Sequence, residues 1–485
     1  MRKLILLLVI VVPLCRTRPT SAADTPENAG KIDKLMSRYA DCCGFTGSVL
    51  VSDHDRIIFK KGYGLANREW NIPNAPDVKF RIGSITKQFT SMLVMQQFAK
   101  GTIKLDAHLS DYLTYYRKDS GTKVTISQLL SHTSGIPSYT DDPRFFEDVS
   151  RNYYAVDDFV KKFCSRDLQF QPGTKFHYDN SGYFLLGAIL EHVTGKPYEA
   201  LLKENIFGPL GMNDSGYDHY DEILGKRASG YQQELDGSAS NAPYLDMSLP
   251  YAAGSLYSTV EDLYKWDQAL YVDKLVPDAL QRKVFTPNLD SYGYGWDIRT
   301  IPADEPGSGQ TVISHGGGIN GFNTLEMRYI GDHDLIVIFN NTPGANLGDM
   351  ARGIRAILYG QEPAAPKRPL VYDLGKTILN HGVGAAIAQY RDLKHTRASD
   401  YDFNEGALNR LGYMLLEKNR NSDAIAIFKL NVEEYPKSAN IYDSLAEAYA
   451  KDNQKQLAKE NYRKSLELDP KNQNATDKLK ELEQK

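Results

Sequence analysis

Ser84 is followed three residues later by Lys87, in Arg81-Ile-Gly-Ser84-Ile-Thr-Lys87-Gln-Phe89. On a helix this spacing sets the two side chains about one turn apart on one face, where an amine can take the proton of a nucleophilic hydroxyl. The alternative role for Ser84 is a helix N-cap. A capping serine favours an acidic or amide side chain at the third helical position. Lys87 instead puts a cation at the positive end of the helix dipole, and that unfavourable placement points to chemistry. Ser120-Gly-Thr-Lys123 has the same spacing in a polar stretch with no apolar helix after it, so spacing alone does not define a site.

Two further groups carry reactive side chains. Gln171-Pro-Gly-Thr-Lys-Phe-His-Tyr178-Asp179-Asn180-Ser-Gly-Tyr runs from a turn into an apolar helix and holds a Tyr-x-Asn. Ser314-His315-Gly316-Gly317-Gly318 ends an expected strand in a glycine loop, where backbone N–H groups can approach a substrate closely. Taken singly, Tyr178 reads as a core aromatic and the glycines as a turn.

Taken together and in this order, the three groups resemble the serine penicillin-recognising family. Within it they are nearest to the class C β-lactamases, the D-Ala-D-Ala carboxypeptidases and D-aminopeptidases, and esterases of the same fold. Ser131-His-Thr-Ser-Gly-Ile-Pro137, Ala253-Gly-Ser-Leu-Tyr-Ser-Thr-Val-Glu-Asp262 and Gly293-Tyr-Gly-Trp296 extend the resemblance over residues 30–360. The resemblance implies an α+β fold, an antiparallel sheet flanked by helices with an all-helical subdomain. It implies that Ser84 attacks a carbonyl and is acylated, with Lys87 and Tyr178 as general bases. Asn180, His315, Gly317 and Gly318 would bind substrate, Asn180 also hydrogen-bonding to Lys87 and His315 standing near Tyr178. The amides of Ser84 and Gly318 would form the oxyanion hole, where one lost donor typically costs about 10²–10³ in rate. No metal or organic cofactor is implied. A lysine with its ordinary pKa near 10.4 is neutral in only about one molecule in a thousand at pH 7.4, so Lys87 needs burial or neighbouring charge to act as a base.

The third group departs from the commoner Lys-Thr-Gly of β-lactamases, having His315-Gly316-Gly317 instead. A largely neutral histidine and a glycine offer a substrate carboxylate less than a fixed cation and a hydroxyl. Esterase or D-amino-acid peptidase chemistry is therefore favoured, on a small ester or peptide that includes cell-wall-derived ones. A β-lactamase or D-Ala-D-Ala carboxypeptidase is the alternative. A catalytically silent protein that binds peptides through its helical repeats is the alternative of another class.

The elements that must position these residues follow from periodicity. Gly47 to Tyr63 reads as a hairpin, helices are expected over 86–100, 125–130 and 184–191, and strands over 311–314, 323–329 and 335–340. Strands thus bracket a helical middle. Gln361-Glu-Pro-Ala-Ala-Pro-Lys-Arg-Pro369 breaks the pattern, and a linker is placed at 361–375 after a hydrolase domain at 24–360. Beyond it, Ala424, Phe428 and Pro436 recur 34 positions later as Ala458, Tyr462 and Pro470, which resembles tetratricopeptide repeats over 376–485. Such repeats could dock a protein partner.

Composition limits the rest. The 485 residues, 41% hydrophobic and 24% charged, suffice for two or three globular domains. A formal charge of −4 provides no basic field for nucleic acid. Residues 1–23, with Arg2 and Lys3, the 11-residue apolar run Leu4 to Leu14 and then Ser21-Ala22-Ala23, read as a cleaved signal peptide, too short in its apolar run for a stable membrane anchor. A secreted or periplasmic location is expected. Cleavage would leave Cys42, Cys43 and Cys164, so one bridge can form, with its pairing open. The sequence has no His-Glu-x-x-His or Cys-x-x-Cys zinc signature and no Gly-x-Ser-x-Gly elbow.

Overall fold

A computed structural model describes residues 24–142 and 144–484; the expected signal segment lies outside them. Helix α1 (Asp24–Cys43) leads into the hairpin β1 (Gly47–Asp53) and β2 (Arg56–Tyr63). The helical middle includes α2 (Thr86–Ala99) and α3 (Asn180–Thr194). The sheet then resumes with β3 (Asp297–Thr300), β4 (Thr311–Ile319), β5 (Phe322–Tyr329) and β6 (Asp334–Asn340), followed by α4 (Leu347–Leu358). The six strands form one antiparallel sheet in the order β3-β4-β5-β6-β1-β2. Its centre joins the two ends of the domain, with Gly47 opposite Asn340 and Val51 opposite Ile336. The domain is α+β, as the sequence implied.

β1 and β6 are buried along their whole length because the sheet is covered on both faces. The period of two sorts their side chains. Leu50, Leu335, Val337 and Phe339 enter the core shared with α2 and α3. Val49, Val51, Ile336 and Ile338 face α1 and α4, meeting Ile32, Met36, Met350 and Ile354. Each such burial contributes about 1.5–3 kcal/mol. Helix α2 is enclosed on all sides from Thr86 to Gln97, as a helix in the middle of a core is.

The glycines of the third group form a strand, not the expected loop: β4 runs through Ile319, pairing Gly317 with Thr324 and Gly318 with Asn323. Cys42 and Cys43, adjacent in sequence, are joined to each other, and Cys164 is buried as a free thiol.

The expected linker is shorter than placed, because a helix starts at Leu370, where Leu370, Val371 and Leu374 are buried. Among the described residues, seven helices make up the tail: α5 (Leu370–His381), α6 (Val383–Thr396), α7 (Glu405–Glu417), α8 (Asn421–Glu434), α9 (Ala439–Lys451), α10 (Lys455–Leu468) and α11 (Gln473–Gln484). The tail shares its core with the hydrolase domain, since Leu235, between strands Tyr231–Gln233 and Ala239–Asn241, is buried among tail side chains. No helix among the described residues is long and apolar enough to cross a membrane.

Candidate active site

Ser84 lies in a 3-10 turn, Gly83–Ile85, just before α2, so it is not the helix cap. Gly83 has φ 53°, a left-handed backbone that glycine adopts without strain, and a Cβ there would fall 2.9 Å from the Gly318 amide nitrogen. The turn therefore presses Ser84 against β4. Gly317 faces the other way: a Cβ on it would meet the Ile82 carbonyl oxygen at 1.9 Å. Expected among the substrate-binding residues, Gly317 instead packs against the backbone that carries Ser84. Gly318 is exposed, with open space at its α-carbon, and lines the cavity over Ser84.

Lys87 is fully buried, in the first turn of α2. Its Nζ lies 3.0 Å from Ser84 Oγ, 2.8 Å from Asn180 Oδ1 and 2.9 Å from the Ala253 carbonyl oxygen. The Tyr178 ring centroid stands 4.8 Å away. Burial lowers the ammonium pKa to about 7, against the pull of the nearby Asp179 charge. Neutral, the amine keeps two N–H donors for Asn180 and Ala253 and turns its lone pair to the Ser84 hydroxyl.

Tyr178 and Asn180 are fixed by how α3 begins. Asp179 is its N-cap, accepting from the Gly182 amide at 3.0 Å, and it also accepts from Ser134 Oγ at 3.2 Å. Burial raises the Asp179 carboxyl pKa to about 7. Asn180 Nδ2 donates to Thr140 Oγ1 at 3.0 Å, which turns its Oδ1 toward Lys87. The Tyr178 phenol pKa is pushed up by burial, with the Ser84 hydroxyl pulling the other way. At neutral pH it is a phenol, so in the free protein the group poised to deprotonate Ser84 is Lys87.

Two histidines border the site, and both are neutral. His132 packs on Tyr178 with ring centroids 4.3 Å apart, and its Nδ1 accepts from the Asp179 amide at 3.0 Å. Burial, then the Lys87 charge, holds its pKa well below the usual range. His315, 6.2 Å from Tyr178 between ring centroids, has its pKa lowered to about 4 by burial first and Lys87 second. Its Nδ1 donates to the Gly316 carbonyl oxygen at 2.6 Å and its Nε2 accepts from the Tyr292 hydroxyl at 2.8 Å.

The cavity over Ser84 has a volume of about 440 Å³, and its walls include Phe146, Leu245, Phe322 and Pro343. His315 is not on it; with Tyr178 and Tyr292 it lines a neighbouring cavity of about 490 Å³. The arginine there, Arg299, is held by Asp297 at 2.7 Å. The structure thus brings Ser84, Lys87, Tyr178, Asn180 and Gly318 together and sets His315 behind Tyr178. The sequence reading gave no role to His132, Thr140, Asp179, Ala253 or Tyr292. His132 lay within a quoted stretch, but its ring contacts had no signal there.

A family model described as Beta-lactamase matches residues 32–359. The chain belongs to that family. PbpX of Bacillus subtilis (strain 168) is 32% identical over 343 residues, covering 70% of this chain and 82% of the relative. The teichoic acid D-alanine hydrolase of Staphylococcus aureus (strain MRSA252) is 26% identical over 329 residues, covering 64% of this chain and 74% of the relative. Among solved structures, the D-stereospecific amidohydrolase from Streptomyces sp. superposes with a TM-score of 0.59 at 25% identity, over 69% of this chain and all of that one. This β-lactamase-family chain is a serine hydrolase of the penicillin-binding type, with a helical tail that begins beyond the match.

Proposed function

We propose that the protein hydrolyses esters or amides of D-amino acids through an acyl-Ser84 intermediate. The observation that carries this is the Lys87 amine, fully buried and 3.0 Å from an accessible Ser84 hydroxyl. Ser84 Oγ adds to the carbonyl carbon as its proton passes to Lys87 Nζ. The bond to the leaving group then breaks, with the proton returned to that group from Lys87 or by way of the Tyr178 phenol. Water, deprotonated by the same pair, releases the acid and restores Ser84. The Ser84 and Gly318 amides hold the developing oxyanion.

Among the described residues lining the cavity beside Tyr178, His315 is neutral and Arg299 is paired with Asp297, which supports neutral amides and esters over penicillins and peptide termini. The D-alanine hydrolase and D-stereospecific amidohydrolase among the relatives support the same substrate class.

The test is hydrolysis of a p-nitrophenyl ester and of a D-amino-acid amide by wild type and Ser84→Ala, followed from the first turnover. A burst of nitrophenol equal to the enzyme present, absent in the variant, is expected. Turnover unchanged in Ser84→Ala overturns the assignment. A specificity constant for a cephalosporin far above those for both substrates overturns the substrate class.

The tail is read as tetratricopeptide-like. This is supported by Gly412, where a Cβ would meet the Phe428 ring at 2.4 Å, and by buried Ala446 and Tyr462 at the same 34-residue offset.

A further inference from the structure

The turn Tyr251–Gly254 has two working faces. On one, Ala253 gives its carbonyl to Lys87. On the other, Tyr251 lines a separate cavity of about 560 Å³ that shares no lining residue with the cavity over Ser84. Tyr198, Tyr217 and Tyr251 form its aromatic floor, with ring centroids 5.3–6.4 Å apart. Tyr153 and Tyr220 stand at its mouth, 75% and 72% exposed. Exposure of two large rings at one opening is unusual on a surface that only has to stay soluble.

The charge in this cavity is one-sided. Among the described residues, five acidic ones line it and no lysine or arginine does. Two of the acids are engaged: Asp218 by Arg81 and Arg227 from outside, and Glu199 by His219. Glu191, Asp221 and Asp246 face no cationic partner in the cavity. Glu191 accepts from the Tyr198 amide and Asp246 from Ser248, bonds that leave both charges uncompensated. The Tyr251 hydroxyl, with the residue only 4% exposed, is buried without a hydrogen bond of ordinary geometry. With its O–H beside the Glu191 carboxylate, its oxygen is left to face the cavity, and an oxygen and a carboxylate under tyrosine rings both attract positive charge.

A cation meets that description. The faces of tyrosine rings attract ammonium groups, most strongly where water is excluded, and carboxylates at the wall add a Coulomb term. The same contact already occurs at the rim, where Lys162 Nζ lies 5.2 Å from the Tyr154 ring centroid. We propose that this cavity is a second binding site, for an alkylammonium group, distinct from the Ser84 site. An anion would meet uncompensated acids there, and a neutral apolar group would leave the Tyr251 hydroxyl and the carboxylates unsolvated.

The test is calorimetric titration of full-length Ser84→Ala protein with choline at constant ionic strength, beside 3,3-dimethylbutanol, which has the same shape without the charge. The Ser84→Ala background removes turnover, so failure of the proposed catalysis does not affect the result. Saturable one-site binding of choline is expected, at least about fivefold tighter than dimethylbutanol. It should weaken at least about threefold in Tyr153→Ala/Tyr220→Ala and in Asp221→Asn, whose changes lie at an exposed rim and spare the core. Absence of saturable choline binding, equal binding of the two probes, or binding indifferent to these variants overturns the proposal.

Discussion

The Tyr292 hydroxyl donates to Nε2 of His315 at 2.8 Å, while Nδ1 of the same ring is committed to the Gly316 carbonyl. Both imidazole nitrogens are therefore used within the protein, and a histidine held in this way is a fixed neutral wall rather than a substrate cation. Tyr292→Phe strands Nε2 in a buried position. We expect a loss of about 1–3 kcal/mol in urea unfolding. Ester turnover should fall by less than about tenfold, because neither ring touches Ser84.

The pH dependence of acylation follows from Lys87. With its pKa near 7, the amine is increasingly protonated below that value and free to accept the Ser84 proton above it. The nearby Asp179 carboxyl also titrates near 7, so the observed ionisation belongs to the pair. We expect kcat/KM for a p-nitrophenyl ester to rise through about pH 7 and level off above it. Lys87→Ala should abolish the burst. A second consequence concerns stability. Between about 7 and 10.5 the unfolded chain binds a proton at Lys87 that the folded chain does not, so stability should rise with pH across that window. The slope is at most about 1.4 kcal/mol per unit, and chemical unfolding at stepped pH should show it flattened in Lys87→Met.

Three consecutive glycines in β4 face different surroundings and should respond differently to a methyl group. At Gly317 the nearest atoms are the Ile82 carbonyl oxygen at 1.9 Å and Thr324 Oγ1 at 2.3 Å, so the backbone ahead of Ser84 must move. At Gly316 the nearest atom is 3.6 Å away, and at Gly318 nothing lies within 4 Å. We expect Gly317→Ala to lose about 1–3 kcal/mol and to lower kcat by more than tenfold. Gly316→Ala should match wild type in both thermal unfolding and turnover.

What the sequence made legible was local. Ser84 and Lys87 are one helical turn apart, Tyr178 and Asn180 two residues apart, and the hairpin at 47–63 shows its turn and apolar runs directly. The Lys87 contact with Asn180, 93 residues on, was legible only through the family resemblance, and the Ala253 carbonyl, 166 residues on, was not legible at all. A backbone carbonyl leaves no mark on residue type, so Ala253 could not be singled out. The glycines misled for a related reason. Glycine usually signals a turn, but at Gly317 it is needed because Ile82 and Thr324 crowd an extended strand, and that crowding exists only once β5 and the segment ahead of Ser84 have packed against β4. The start of the tail at Leu370 was hidden because Pro369 reads as a break, whereas it stands just before the first turn of α5.

The junction between hydrolase and tail has its apolar anchor where one hairpin meets α5. Leu235 is 1% exposed within the tail core, and α5 approaches so closely that a Cβ on Gly375 would fall 2.1 Å from the Leu235 carbonyl oxygen. Around it, Arg410 donates to the Gly344 carbonyl at 3.1 Å and to the Tyr372 hydroxyl at 2.7 Å, and Lys418 pairs with Glu234. The polar contacts are exposed or half-buried and each is worth little; the apolar anchor carries the junction. Leu235→Ala should therefore destabilise the junction by about 2–5 kcal/mol, while Lys418→Ala changes it by less than about 1 kcal/mol. Limited proteolysis reads the difference. We expect the Pro-rich stretch at 361–369 to be cut faster in Leu235→Ala than in wild type or Lys418→Ala, releasing the tail. Equal cutting in all three would mean that the tail is held through surfaces other than this hairpin.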